Sequence, residues 1–99
     1  MHAPIIAAIH PGEILHEEYL APLGLSAYAL AKKLRVPRTR IERLVAENAP
    51  VTTNTALRLA KFFDTTPQFW MNMQTAFDLS QEAMAIAEDL EKIQAMQAA

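Results

Sequence analysis

Apolar residues recur three and four positions apart along nearly the whole chain, and no stretch alternates with period two for long. That periodicity commits the chain to helices packed against one another. Pro11-Gly12 opens a first helix with Ile14, Leu15, Tyr19 and Leu20 on its apolar side, and Pro22 with Gly24 closes it. Ser26 is an N-cap for a second helix over Ala27 to Leu34, its hydroxyl accepting from an orphan backbone N–H. Leu30, Ala31 and Leu34 face inward there. Arg35-Val36-Pro37 interrupts the pattern, because proline has no N–H to continue a helix and a preset φ that suits the start of a new one. The third helix is expected from about Pro37 to Glu47, with Ile41, Leu44 and Val45 buried. Thr52-Thr53-Asn54 caps a fourth helix carrying Ala56, Leu59, Ala60 and Phe63. Thr66-Pro67 starts a fifth with Phe69, Trp70, Met73 and Phe77 inside, and Ser80 caps a last helix to about Gln97. The expected fold is all-α, a helix-turn-helix domain of five helices plus a C-terminal helix, in one domain over residues 1–99.

The 99 residues contain no cysteine, which excludes disulfides, zinc ribbons, Fe–S clusters and thiol nucleophiles and fits a reducing compartment. No apolar run reaches the roughly 18–20 residues that span a bilayer, and Met1 to Ile9 lacks a basic n-region. The expectation is a cytoplasmic protein without a membrane partner. Charge is polarised. Between Lys32 and Lys61 eight basic residues face two acids, a balance of +6, whereas the remainder carries one base and nine acids. Such a block suits an anionic partner, although clustering on solvated helix surfaces produces the same count.

The stretch from Ala27 to Ala46 carries the chemistry. Small Ala31 lets two helices cross closely, Val36 plugs the turn, and Ile41 and Leu44 pin the second helix to the first. Its opposite face then presents Arg38, Thr39, Arg40 and Arg43. A B-DNA major groove about 12 Å wide admits one helix. Arg38 or Arg43 could fork onto guanine O6 and N7, and Thr39 could meet a thymine methyl. Ser26, Tyr28 and Lys32 near the second helix start, and Thr52, Thr53 and Asn54 at the fourth, are candidates for phosphate contacts.

Other patterns point nowhere catalytic. Glu13 and His16 match one half of a di-iron Glu-x-x-His pair, but no second copy exists, so no metal or cofactor is expected. Glu17-Glu18 reads as a solvated face, and no nucleophile-with-base arrangement or phosphate loop is present, so no enzyme is expected. Trp70 is assigned to the core rather than to a ligand. Leu79, Ala83, Ile86, Leu90 and Ile93 follow a 4-3-4-3 spacing that forms either an internal packing face or a seam for a second subunit. A homodimer is preferred, since two recognition helices about 34–36 Å apart read a palindrome.

Four further segments make the chain resemble the HigA family of antitoxins (VapI-like), within the Xre-type, phage-repressor-like helix-turn-helix class. They are His10 to Leu15, Leu23 to Ser26, Thr55 to Ala60 and Phe69 to Gln74. The resemblance implies a homodimer that binds double-stranded operator DNA, represses its own operon and neutralises a RelE-like ribonuclease toxin, HigB. Carried over by position, base reading falls on Arg38, Thr39 and Arg43, and Arg40 is counted as a fourth base-reading residue. A basic toxin would favour the acidic groups Glu13, Glu17 and Glu18, or Glu82, Glu88, Asp89 and Glu91. Two departures stand out: Arg35 where the family has glycine, and Pro37 where it has a capping serine. A stand-alone Xre-type regulator without a toxin and a protein-only binding module remain the alternatives.

Overall fold

The computed structural model describes residues 8–97, which form six helices and no strand. Helix α1 runs over 11–23 as an α-helical turn Pro11–Ile14, a π-helical stretch Leu15–Leu20 and a final turn Ala21–Leu23. The π stretch has a function in packing. Its wider turn closes i→i+5 bonds, as from the Ala21 N–H to the His16 carbonyl, and brings Leu15 and Leu20 into the same core. Helix α2 is Ala27–Leu34, α3 Arg38–Val45, α4 Thr53–Phe63, α5 Pro67–Ala85 and α6 Ala87–Glu91. No helix among the described residues is long and apolar enough to cross a membrane.

Starts and stops follow the cap chemistry. Ser26, Thr52 and Thr66 each accept from the backbone N–H three residues on, at Ala29, Thr55 and Phe69. Four helix ends turn through the left-handed region, at Gly24, Arg35, Glu47 and Asp64. At Arg35 the N–H groups of Arg35 and Val36 return to the carbonyls of Lys32 and Ala31, which is a Schellman closure. Val36 is thereby folded back over Ala31. Arg35 sits at φ 62° with its side chain exposed, so it carries the left-handed penalty without a packing return. Arg35→Gly is therefore expected to stabilise the fold by about 0.5–1 kcal/mol, read as a higher urea midpoint at unchanged m-value.

Buried side chains from α1 to α5 meet around Leu15, Leu30, Ile41, Leu44, Leu59 and Trp70. Trp70 is fully enclosed and donates from Nε1 to Thr65 Oγ1 at 2.8 Å, while Tyr19 and Phe63 lie against its ring. The core assignment for Trp70 holds. Phe69, expected inside, is instead 38% exposed and touches Trp70 only edge-on.

Three expected boundaries move, two at helix starts and one at the end expected near Gln97. Pro37 is the N-cap of α3 and not its first residue, with extended ψ 142° and its carbonyl accepting from Arg40. Ser80 does not start a helix either. It is buried inside α5, where its hydroxyl accepts from the Ala8 N–H at 3.2 Å, so it does not divert the backbone. With no proline or glycine to stop it, α5 continues to Ala85. The break falls at Ile86 (φ −114°, ψ 22°), and residues 92–97 are not helical.

Candidate nucleic-acid interface

Helix α3 is anchored by Ile41 and Leu44, both essentially inaccessible, and by Val45 at the margin. Arg38, Thr39, Arg40 and Arg43 are all exposed. At about 100° per residue, Thr39 and Arg43 fall close together on the side opposite that anchor, with Arg38 and Arg40 on the two flanks. Sequence spacing placed these four on one open face; the structure leaves all four exposed, with Thr39 and Arg43 on that face and Arg38 and Arg40 at its opposite edges. They fan out, however, and do not point as a bundle.

The flanking arginines are held by different neighbours. Arg38 lies 5.6 Å from the Tyr28 ring centroid and 3.6 Å from Glu42, so it leans toward α2. Lys32 approaches the same ring at 5.3 Å, which brings Tyr28, Lys32 and Arg38 together. Arg40 leans the other way and donates to Asn54 Oδ1 at 2.7 Å. Thr39 and Arg43 make no side-chain hydrogen bond or ion pair among the described residues. A groove of about 390 Å³ runs between α3 and the start of α4, lined by Pro37, Thr39, Arg40, Arg43, Thr52 and Asn54.

Of the candidate phosphate residues, Ser26 is exposed at the start of α2 and already accepts from Ala29. Thr52 caps α4 and also donates to buried Thr55, while Thr53 and Asn54 are exposed in the first turn. The basic block itself is divided. Lys33, Arg35, Arg58 and Lys61 line a second groove of about 600 Å³ against Leu57 and Phe62, and Asn54 borders both grooves.

Several supports hold the site in place, and those from Gln74 and Arg58 were not read from the sequence. His10 Nδ1 accepts from the Gly12 N–H at 2.9 Å and caps α1 from a buried position, its ring edge-on to Phe77. Gln74 is buried, accepts from the Val51 N–H at 2.7 Å and donates to Asp78, which fixes the chain just before the Thr52 cap. A signal for it existed: Gln74 stands four residues after Trp70, on the apolar stripe of α5, where a polar side chain needs a partner. Arg58 donates from Nη1 to the Leu34 carbonyl at 2.8 Å, satisfying the C-terminal end of α2. Among the described residues His16 pairs with neighbouring Glu17. Among the described residues no group of three or more His, Asp or Glu could hold a metal ion.

A short helix pinned across another, with an exposed polar and basic side, defines a helix-turn-helix protein. The chain belongs to that family, which it matches over residues 17–70. It is 60% identical over 72 residues to virulence-associated protein I of Dichelobacter nodosus, across 73% of this chain and 67% of that protein. Among solved structures it is similar to the antitoxin GraA in complex with its operator, with 38% identity, TM-score 0.90, and coverage of 99% of this chain and 100% of that one. It is also similar to the Pseudomonas aeruginosa antitoxin HigA with the higBA promoter, with 37% identity, TM-score 0.88, and coverage of 90% and 98%. The HigA resemblance carried by the sequence segments is thereby upheld.

Proposed function

We propose that this chain is a DNA-binding antitoxin that represses its own operon and neutralises a RelE-like ribonuclease toxin. One observation carries the DNA-binding part: the core fixes α3 by Ile41 and Leu44 and leaves Thr39 and Arg43 unengaged on the opposite side. The similar antitoxins whose structures hold operator or promoter DNA support the same reading. In it, Arg38, Thr39 and Arg43 meet base edges, and Ser26, Tyr28, Lys32, Thr52 and Thr53 meet the phosphate backbone, with Asn54 beside them holding Arg40.

Two copies read two half-sites. Leu79, Leu90 and Ile93 are 66%, 45% and 69% exposed, with Ala83 and Ile86 half-buried beside them. Apolar exposure of this kind is what a second copy would cover by docking. The break at Ile86 divides the seam between α5 and α6. A basic toxin would meet one of the acidic groups, Glu13, Glu17 and Glu18 on α1 or Glu82, Glu88, Asp89 and Glu91 at the C-terminal end.

Titration of the protein against its upstream DNA at several salt concentrations tests the first part. Affinity is expected to fall steeply with salt, and Arg38→Ala to lower discrimination by about 1–3 kcal/mol at the base pair it reads. Binding without salt dependence contradicts DNA recognition and leaves a protein-only module. Co-purification tests the second part: a bound ribonuclease-like chain supports the antitoxin, and operator binding with no such partner identifies a stand-alone regulator.

A further inference from the structure

We propose that Asn54 is a positioning residue that commits Arg40 to the phosphate backbone, so that Arg40 does not read bases. This rests on the DNA-binding reading above and refines it.

The observation is a chain of hydrogen bonds across three helices. It begins at the Leu34 carbonyl ending α2, which accepts from Arg58 Nη1 at 2.8 Å. Arg58 Nε donates in turn to Asn54 Oδ1 at 2.9 Å. The same oxygen accepts from Arg40 Nη1 at 2.7 Å. A carboxamide oxygen offers two lone pairs, and both are taken by guanidinium donors. The amide cannot be turned over without setting its own N–H groups against those donors. Its oxygen is therefore fixed toward the arginines and its NH₂ away from them. Arg58 is half-buried and tied at its far end, so the order of dependence runs from Leu34 through Arg58 and Asn54 to Arg40.

Position on the helix agrees. Arg40 flanks the outward side of α3 defined by Thr39 and Arg43, and its side chain runs across to α4. Arg38, on the other flank, is the first residue of α3, at the end that enters a major groove, whereas Arg40 is held across to α4 and faces the groove wall, which is phosphate. Held by one N–H, the planar guanidinium keeps its other donors for phosphate oxygens. A free arginine has to surrender much of its rotamer freedom on binding. Here the fold has already restricted it.

The experiment is a double-mutant cycle of Arg40→Ala and Asn54→Ala, titrated by fluorescence anisotropy at several salt concentrations. The probes are the duplex selected by the wild type from a random library and its single-base variants, and circular dichroism with thermal melting confirms that each variant is folded. Arg40→Ala should weaken binding to all duplexes by a similar factor and reduce the slope of log K against log salt by about one. Asn54→Ala should weaken binding by about 3- to 10-fold through lost preorganisation, with base preference unchanged. In the Arg40→Ala background, that second effect should shrink to below about twofold. A role in stability alone would lower the melting temperature without this coupling. The proposal is overturned if Arg40→Ala relaxes preference at one base pair, or if the Asn54→Ala effect is the same in both backgrounds. Failure of the wild type to select any duplex removes the DNA-binding reading as well, and that outcome is distinct from either.

Discussion

Gly12→Ala is expected to cost about 3 kcal/mol of folding stability, the upper part of the range for overpacked sites. A Cβ built on Gly12 would stand 1.8 Å from the Leu44 carbonyl oxygen and 2.8 Å from its carbon. Both are backbone atoms in the last turn of α3, so no rotamer change relieves the overlap. Helix α1 would have to lift from α3, opening the core where Leu15 and Leu44 are buried. His10 leaves little slack on the other side, since its Nδ1 is 3.1 Å from the same Cβ position and caps this very turn. The requirement is steric, because Gly12 has no positive φ. Small domains have only about 5–15 kcal/mol to lose, so a large drop in urea midpoint is expected. Operator affinity should fall with it, since α1 backs α3, the helix that carries Arg43. A variant that unfolds at the wild-type midpoint would mean that α1 does not rest on α3 at this point.

Gly12 also shows where sequence reading stops. Pro11-Gly12 announced a helix start, and one formed there, but a second partner for the glycine lies 32 residues away and leaves no local trace. Local chemistry was legible throughout: the caps at Ser26, Thr52 and Thr66, the interruption at Pro37, and the buried stripes of α2 to α4 all follow from spacing and backbone preference. Arg35 was legible as a left-handed position only through resemblance, and the structure supplies its φ. Ser80 misled because a serine caps only when its own backbone leaves the helix, and here a distant N–H at Ala8 engages the hydroxyl. The candidate interface divides in the same way. Exposure of Arg38, Thr39, Arg40 and Arg43 followed from helical period, whereas the opposite leanings of Arg38 and Arg40 depend on Tyr28 and Asn54, which only tertiary packing brings near.

Arg43→Glu is expected to weaken operator binding at least about 100-fold at moderate salt, well beyond the loss from alanine. Arg43 lies on the outward side of α3 and makes no side-chain hydrogen bond or ion pair among the described residues, so its guanidinium is available without breaking anything. Removing a direct contact to base or phosphate costs about 1–3 kcal/mol. Reversal adds the repulsion of a carboxylate facing a polyanion, a like-charge penalty of several kcal/mol when the contact is close. Folding should barely register the change. The side chain is exposed, and the main structural effect is an acid in the last turn of α3, about 0.3–1 kcal/mol against the helix dipole. The two consequences therefore separate: a near-native melting curve beside a binding isotherm that has almost vanished. Raising salt should narrow the gap between variant and wild type, because the repulsive part is screened over roughly 10 Å at 0.1 M. If Arg43→Glu folds normally and binds the operator within about threefold of wild type, the outward side of α3 is not the contact face. The basic residues of the second groove, Lys33, Arg35 and Lys61, would then be the ones left to meet DNA.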